Sequence, residues 1–126
     1  MVFAGCSASA PAKPDIPESI SPGWKLASLA GAPRPAVVGP AGEPTCWKAE
    51  YTGSAASTSA SAEVAICWYK VSGNAFEALQ RTRAEAQAVK FQQAHYFVLV
   101  KWNNASKASL TALVRAIEKT LGGSQT

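Results

Sequence analysis

Between residues 45 and 51 the chain alternates. Trp47, Ala49 and Tyr51 are apolar and Cys46, Lys48 and Glu50 fall between them, the period of a strand with one buried face. Residues 63–71, rich in β-branched and aromatic side chains, are predicted to return as its antiparallel partner across a Ser/Ala/Thr stretch at 53–62 that reads as a hairpin loop. The period then becomes helical. Asn74 followed by Glu77 has the form of a capping box and opens a predicted helix to about Ala88, with Ala75, Leu79, Thr82 and Ala86 on one side. Outward, Glu77 with Arg81 and Arg81 with Glu85 are oppositely charged pairs at four-residue spacing. A short strand at 89–92, turning through Gln93-Ala94, leads into Tyr96-Phe97-Val98-Leu99-Val100, whose unbroken apolar run predicts a strand buried on both faces. Ser106 is placed to cap a last helix with Leu110, Leu113, Val114, Ile117 and Leu121 as its apolar stripe and Gly122 at its end.

The resulting order is ββα(β)βα. Strands arriving in hairpins with helices between them predict an α+β domain, an antiparallel sheet of about four strands with both helices packed on one face. All eight prolines precede residue 45, and proline interrupts both helix and sheet hydrogen bonding, so regular structure is expected from there onward. Residues 23–44 read as an irregular segment that lays Trp24, Leu26 and Leu29 on the domain. The organisation that follows is a signal stump and flexible tether at 1–22 and a single domain at 23–126. About 80 residues of main core is close to the size at which a covalent staple matters.

Charge narrows the partners. Residues 1–44 carry three basic and three acidic groups and 45–126 carry nine and five, which gives the net +4 of the 126-residue chain. Such a surface permits a basic binding module for nucleic acid or another polyanion, the first alternative function. The lysines and arginines are scattered, however, which argues against nucleic acid and for a solvated surface. No apolar run approaches the roughly 20 residues that span a bilayer.

Met1-Val2-Phe3-Ala4-Gly5-Cys6 resembles the end of a bacterial lipoprotein signal, in which a large apolar residue and small residues precede a cysteine that takes the lipid. Ser7 to Pro22, mostly Ser, Ala, Pro and Lys, has the composition of an extended tether. The resemblance implies lipidation at Cys6, a membrane contact through that lipid, periplasmic or cell-surface localisation, and more of the signal upstream of Met1, since a working signal has a basic start and an apolar stretch. The alternative is a cytoplasmic protein with a stray cysteine near its start. Residues 72–121, with Asn74-Ala75-Phe76-Glu77-Ala78 opening a helix and Tyr96–Val100 as the next strand, are similar to secreted bacterial domains of unknown function. That likeness implies fold and export and brings no activity.

In an exported chain the other two cysteines become a pair. The registers that keep Trp47, Ala49 and Tyr51 on one face with Val64, Ile66 and Trp68 set Cys46 either directly opposite Cys67 or diagonal to it, in both cases on the same face. A Cys46–Cys67 disulfide is predicted, leaving Cys6 for the lipid; free buried thiols and a redox pair are the alternatives. A small thiol-dependent enzyme, using Cys67 with His95, is the second alternative function. Otherwise chemistry is sparse. His95 is the only histidine and Asp15 the only aspartate, so a Ser-His-Asp arrangement lacks its acid, and no metal-ligand spacing or phosphate-cradling glycine loop occurs. No catalytic residue, metal or cofactor is assigned. Trp24 and Trp102, beside Lys25 and Lys101, together with His95, are the candidate ligand contacts, while Trp47 and Trp68 are expected in the core. The reading is an exported, lipid-anchored domain with a non-catalytic binding or structural role in the cell envelope, and an envelope protein as a candidate partner.

Overall fold

The computed structural model describes residues 13–20, 23–35, 38, 42–53, 60–83 and 86–123. They form β1 (Ser19–Ile20), β2 (Trp24–Ala32), β3 (Thr45–Gly53), β4 (Ser61–Trp68), α1 (Ser72–Arg81), β5 (Ala88–Gln93), β6 (Tyr96–Asn103) and α2 (Lys107–Gly123). The six strands make one antiparallel sheet in the order β1-β2-β3-β4-β6-β5. The α+β class stands, with six strands instead of about four. Cys6, Glu85 and residues 54–59 of the expected hairpin loop lie outside the described residues.

The two additional strands come from the stretch expected to be tether and irregular chain. In β2 a bulge between Leu26 and Ser28 shifts the register against β3, so the inward residues are Trp24, Leu26 and Leu29 and the simple alternation is lost. Ile16 and Ile20, within the span expected as tether, are buried in the core.

A second correction concerns the helices. They lie on opposite faces of the sheet. One face carries Trp47, Ala49, Tyr51, Val64, Ile66, Val98 and Val100, packed with Leu113, Ile117 and Leu121 of α2. The other carries Cys46, Ala65, Cys67, Phe97 and Leu99, packed with Ala75 and Ala78 of α1. The physical reason is β6: Phe97 and Leu99 point one way and Val98 and Val100 the other, all four buried, and a strand apolar on both sides needs a cover on each.

The helix ends follow from local bonding. Ser109 N–H donates to Ser106 Oγ at 3.1 Å, the expected cap of α2. The expected Asn74 cap does not form: α1 starts at Ser72 after Val71, with no side-chain cap bond, and the Asn74 amide instead lies where a side chain on Gly42, at φ +55°, would have to sit. The same helix stops at Arg81, short of Ala88. There the Thr82 hydroxyl donates to Ala78 O at 2.7 Å, and Lys90 Nζ, reaching over from β5, donates to Leu79 O at 2.7 Å and to Thr82 O. An ammonium on the terminal carbonyls is a favourable helix end. The i,i+4 pair between Glu77 and Arg81 is present, at 2.7 Å.

Candidate functional site

The strand registers sort the α1 face of the sheet into rows of facing residues. Ala32, Cys46, Cys67, Phe97 and Gln92 form the first row, and Ala30, Lys48, Ala65, Leu99 and Lys90 the second. Ser28, Glu50, Glu63, Lys101 and Ala88 form the third; Thr52, Ser61 and Asn103 lie in the fourth. Chemistry changes along these rows. The first, with the cysteine pair, is apolar at its centre and lies in the α1 cluster. The third and fourth are ionic and polar, and their central members line an open groove of about 490 Å³. Between the two ends is a smaller recess of about 240 Å³ walled by Pro33, Pro35, Ala65 and Leu99. Lys48, Glu63 and Lys101 belong to both hollows, so the two form one amphipathic surface.

The charges on this surface hold one another. Lys48 Nζ lies 3.3 Å from Glu63 and 3.6 Å from Glu50, while Glu50 and Glu63 face each other across β3 and β4. The lysine screens two carboxylates that would otherwise repel. The hydrogen bond and attraction of Glu63, then of Glu50, raise the Lys48 ammonium above its ordinary value. All three side chains are about half exposed, so the ion pairs contribute little to stability.

The residues singled out in the sequence are dispersed. Trp24 is 3% exposed and its indole N–H donates to Ser109 O at 2.8 Å, which makes it a core residue and removes it as a ligand contact. Trp102 is half-buried, packed against the α2-side core, and its edge lines the groove. Lys101 lies in the third row. His95 is elsewhere, in the β5–β6 turn: its Nδ1 is 2.9 Å from Tyr69 O and its ring stacks on Trp68 with centroids 6.1 Å apart. Of the expected core tryptophans, Trp47 is buried and Trp68 half-buried.

Cys46 and Cys67 face each other directly, one of the two expected registers. Their sulfurs are 2.14 Å apart, the separation of a disulfide, and the two residues are 5% and 0% exposed. The Gly53 N–H bond to Ala60 O fixes the phase of the β3–β4 ladder and makes the cysteines a non-hydrogen-bonded pair, in which side chains approach most closely. This arrangement presents no thiolate to His95. Among the described residues no group of three or more His, Cys, Asp or Glu could hold a metal ion. Lys48, Glu50 and Glu63 were not candidates in the sequence, although their alternation with Trp47, Ala49 and Val64 already set them on the cysteine face.

One buried polar group stands apart. The Tyr69 hydroxyl is the buried side-chain polar atom without a hydrogen-bond partner among the described residues, inside the α1 cluster. Burial pushes its ionisation up, partly offset by Arg34.

No protein-family model, curated protein or solved structure matches the chain.

Proposed function

We propose that this chain is an exported, lipid-anchored domain that binds a partner or ligand in the cell envelope and carries out no catalysis of its own. The observation that carries the binding part is the half of the α1 face over β3 and β4, where, among the described residues, an apolar recess adjoins a groove of paired charges and hydroxyls. There Lys48 engages both Glu50 and Glu63. A ligand with an aliphatic portion and a polar end of either or both charges suits such a surface, because apolar walls supply affinity and a few directed polar groups supply orientation. The cysteine pair supports export, since disulfides persist in oxidising compartments and small secreted domains use them to supplement a limited core. Cys6 supplies the anchor, by its likeness to a lipidated cysteine.

The test is fractionation of cells expressing the gene together with its native upstream sequence. The wild-type protein is expected in the membrane fraction and the Cys6→Ser protein in the soluble fraction or retained as precursor. Identical distribution of the two in the cytoplasm contradicts the proposal.

A further inference from the structure

The two edges of the sheet differ. On the β2 side the preceding chain closes the edge: β1 pairs with Trp24 and Lys25, Glu18 O accepts the Leu26 N–H at 2.8 Å, and Lys13 Nζ reaches Leu29 O at 3.4 Å. On the other side β5 is the last strand. The Trp102 N–H bond to Gln87 O sets the phase of the β5–β6 ladder, so Val89, Phe91 and Gln93 bond to β6 and the peptide groups of Ala88, Lys90 and Gln92 point away from the sheet. Edge strands are commonly protected by an outward charge, a proline or a bulge. β5 has neither proline nor bulge, and the ammonium of its one charged residue, Lys90, is turned onto the carbonyls of α1.

Beside this edge stands an apolar group that the core does not use. Ser72, Phe76 and Leu79 share one ridge of α1 at helical spacing. The carbonyls of Ser72 and Leu79 accept from the side chains of Gln92 and Lys90, so the ridge lies along β5. Phe76, on that ridge, is 50% exposed, and Val71 at the helix start is 56% exposed; these are the large exposed hydrophobic residues of the described chain. At the Gln93 end of the strand, Arg115 and Lys119 of α2 outnumber Glu118 around a shallow hollow, and Arg83 is exposed on the chain leading into β5.

We infer that the β5 edge is a docking site for an extended, acidic peptide segment of a partner protein, added as a seventh strand with an apolar side chain against Phe76. The outward peptide groups specify main-chain pairing, and the aromatic beside them selects an apolar residue at alternate positions, the logic of strand addition. Charge selects the partner. A second copy paired antiparallel through its own β5 brings Arg83 of one chain toward Arg115 and Lys119 of the other, whereas a segment with carboxylates complements both ends. This site is separate from the groove in the open half of the α1 face, so either can fail without the other.

The probe is a displayed library of random ten-residue peptides selected on the intact domain, followed by one synthetic peptide from the enriched set. Enriched sequences are expected to alternate apolar with polar residues and to carry Asp or Glu. The synthetic peptide is expected to slow amide exchange at Ala88, Lys90 and Gln92. Its affinity is expected to fall about tenfold or more in Gln92→Pro, which removes an outward donor at a position preceded by the extended Phe91, and in Phe76→Ser, which leaves the edge intact. The inference is overturned if no such peptides are enriched, if the peptide binds both variants as well as wild type, or if protection of those amides rises with protein concentration in the absence of peptide.

Discussion

The indole N–H of Trp24 donates to the carbonyl of Ser109 at 2.8 Å, tying the start of β2 to the first turn of α2 across 85 residues of sequence. Trp24 is also a member of the α2-side core. The bond therefore fastens the strand that sequence pattern hid to the helix that pattern showed most clearly. Trp24→Phe keeps an aromatic in place and removes the donor. The expected cost is about 1–2 kcal/mol, since a carbonyl loses its partner and the smaller ring leaves a gap. Urea unfolding checks this; an unchanged midpoint would place the indole outside the cooperative core.

The cysteine pair closes a loop with a sequence separation of 21. Cys46→Ala with Cys67→Ala is expected to lower stability by about 3 kcal/mol in the chain-entropy model. Because both sulfurs lie in the α1-side cluster, far-UV circular dichroism of the variant should remain close to wild type under folding conditions. Calorimetry and denaturant midpoints measure the difference.

The tyrosines set a pH limit. Burial pushes the Tyr51 hydroxyl up to about 12, and it donates to Pro17 O at 2.6 Å. Burial also raises Tyr69 and Tyr96. A hydroxyl whose folded value lies above its unfolded value of about 10 favours folding fully below pH 10 and loses that contribution as pH rises through the folded value. Absorbance at 295 nm is thus expected to show less ionisation of the three tyrosines at pH 10 in the folded than in the unfolded protein, and stability is expected to fall as pH rises from about 10 toward the Tyr51 value of about 12. Titration of all three at the unfolded value would contradict their burial.

Ala94, in the β5–β6 turn, has φ +57°, in the left-handed region that favours glycine. Ala94→Gly is expected to stabilise the fold by about 0.5–1 kcal/mol, the strain released being partly offset by the greater freedom of glycine in the unfolded chain. A higher melting temperature measures it.

Much of this architecture is legible in the sequence, for identifiable reasons. β3, β4 and β6 follow simple rules, alternation in the first and apolar runs in the others, and the stripe of α2 has an unbroken 3.6-residue period. The facing cysteines follow from requiring the aromatic residues of β3 and β4 to share a face. β2 is hidden because its bulge changes phase midway, so Trp24 and Leu26 are out of step with Leu29. The end of α1 is hidden because a long-range lysine, Lys90, takes its last carbonyls. The placement of the helices is a consequence the sequence already contains: Phe97 and Leu99 alternate with Val98 and Val100, and two helices on one side leave half of that strand bare. The groove is harder to foresee. Lys48, Glu50 and Glu63 look like ordinary solvated residues until the register brings them together along one groove.

We propose an exported scaffold, anchored at Cys6 and clamped by Cys46 and Cys67, that works by binding. The intact mass of the protein recovered from its native cells, alkylated under denaturing conditions before and after reduction, tests this. The expected result is a membrane-bound species beginning at Cys6 with a lipid mass on that residue, no alkylated cysteine before reduction and two after it. A soluble species retaining Met1, with Cys6, Cys46 and Cys67 all alkylated without reduction, would contradict it.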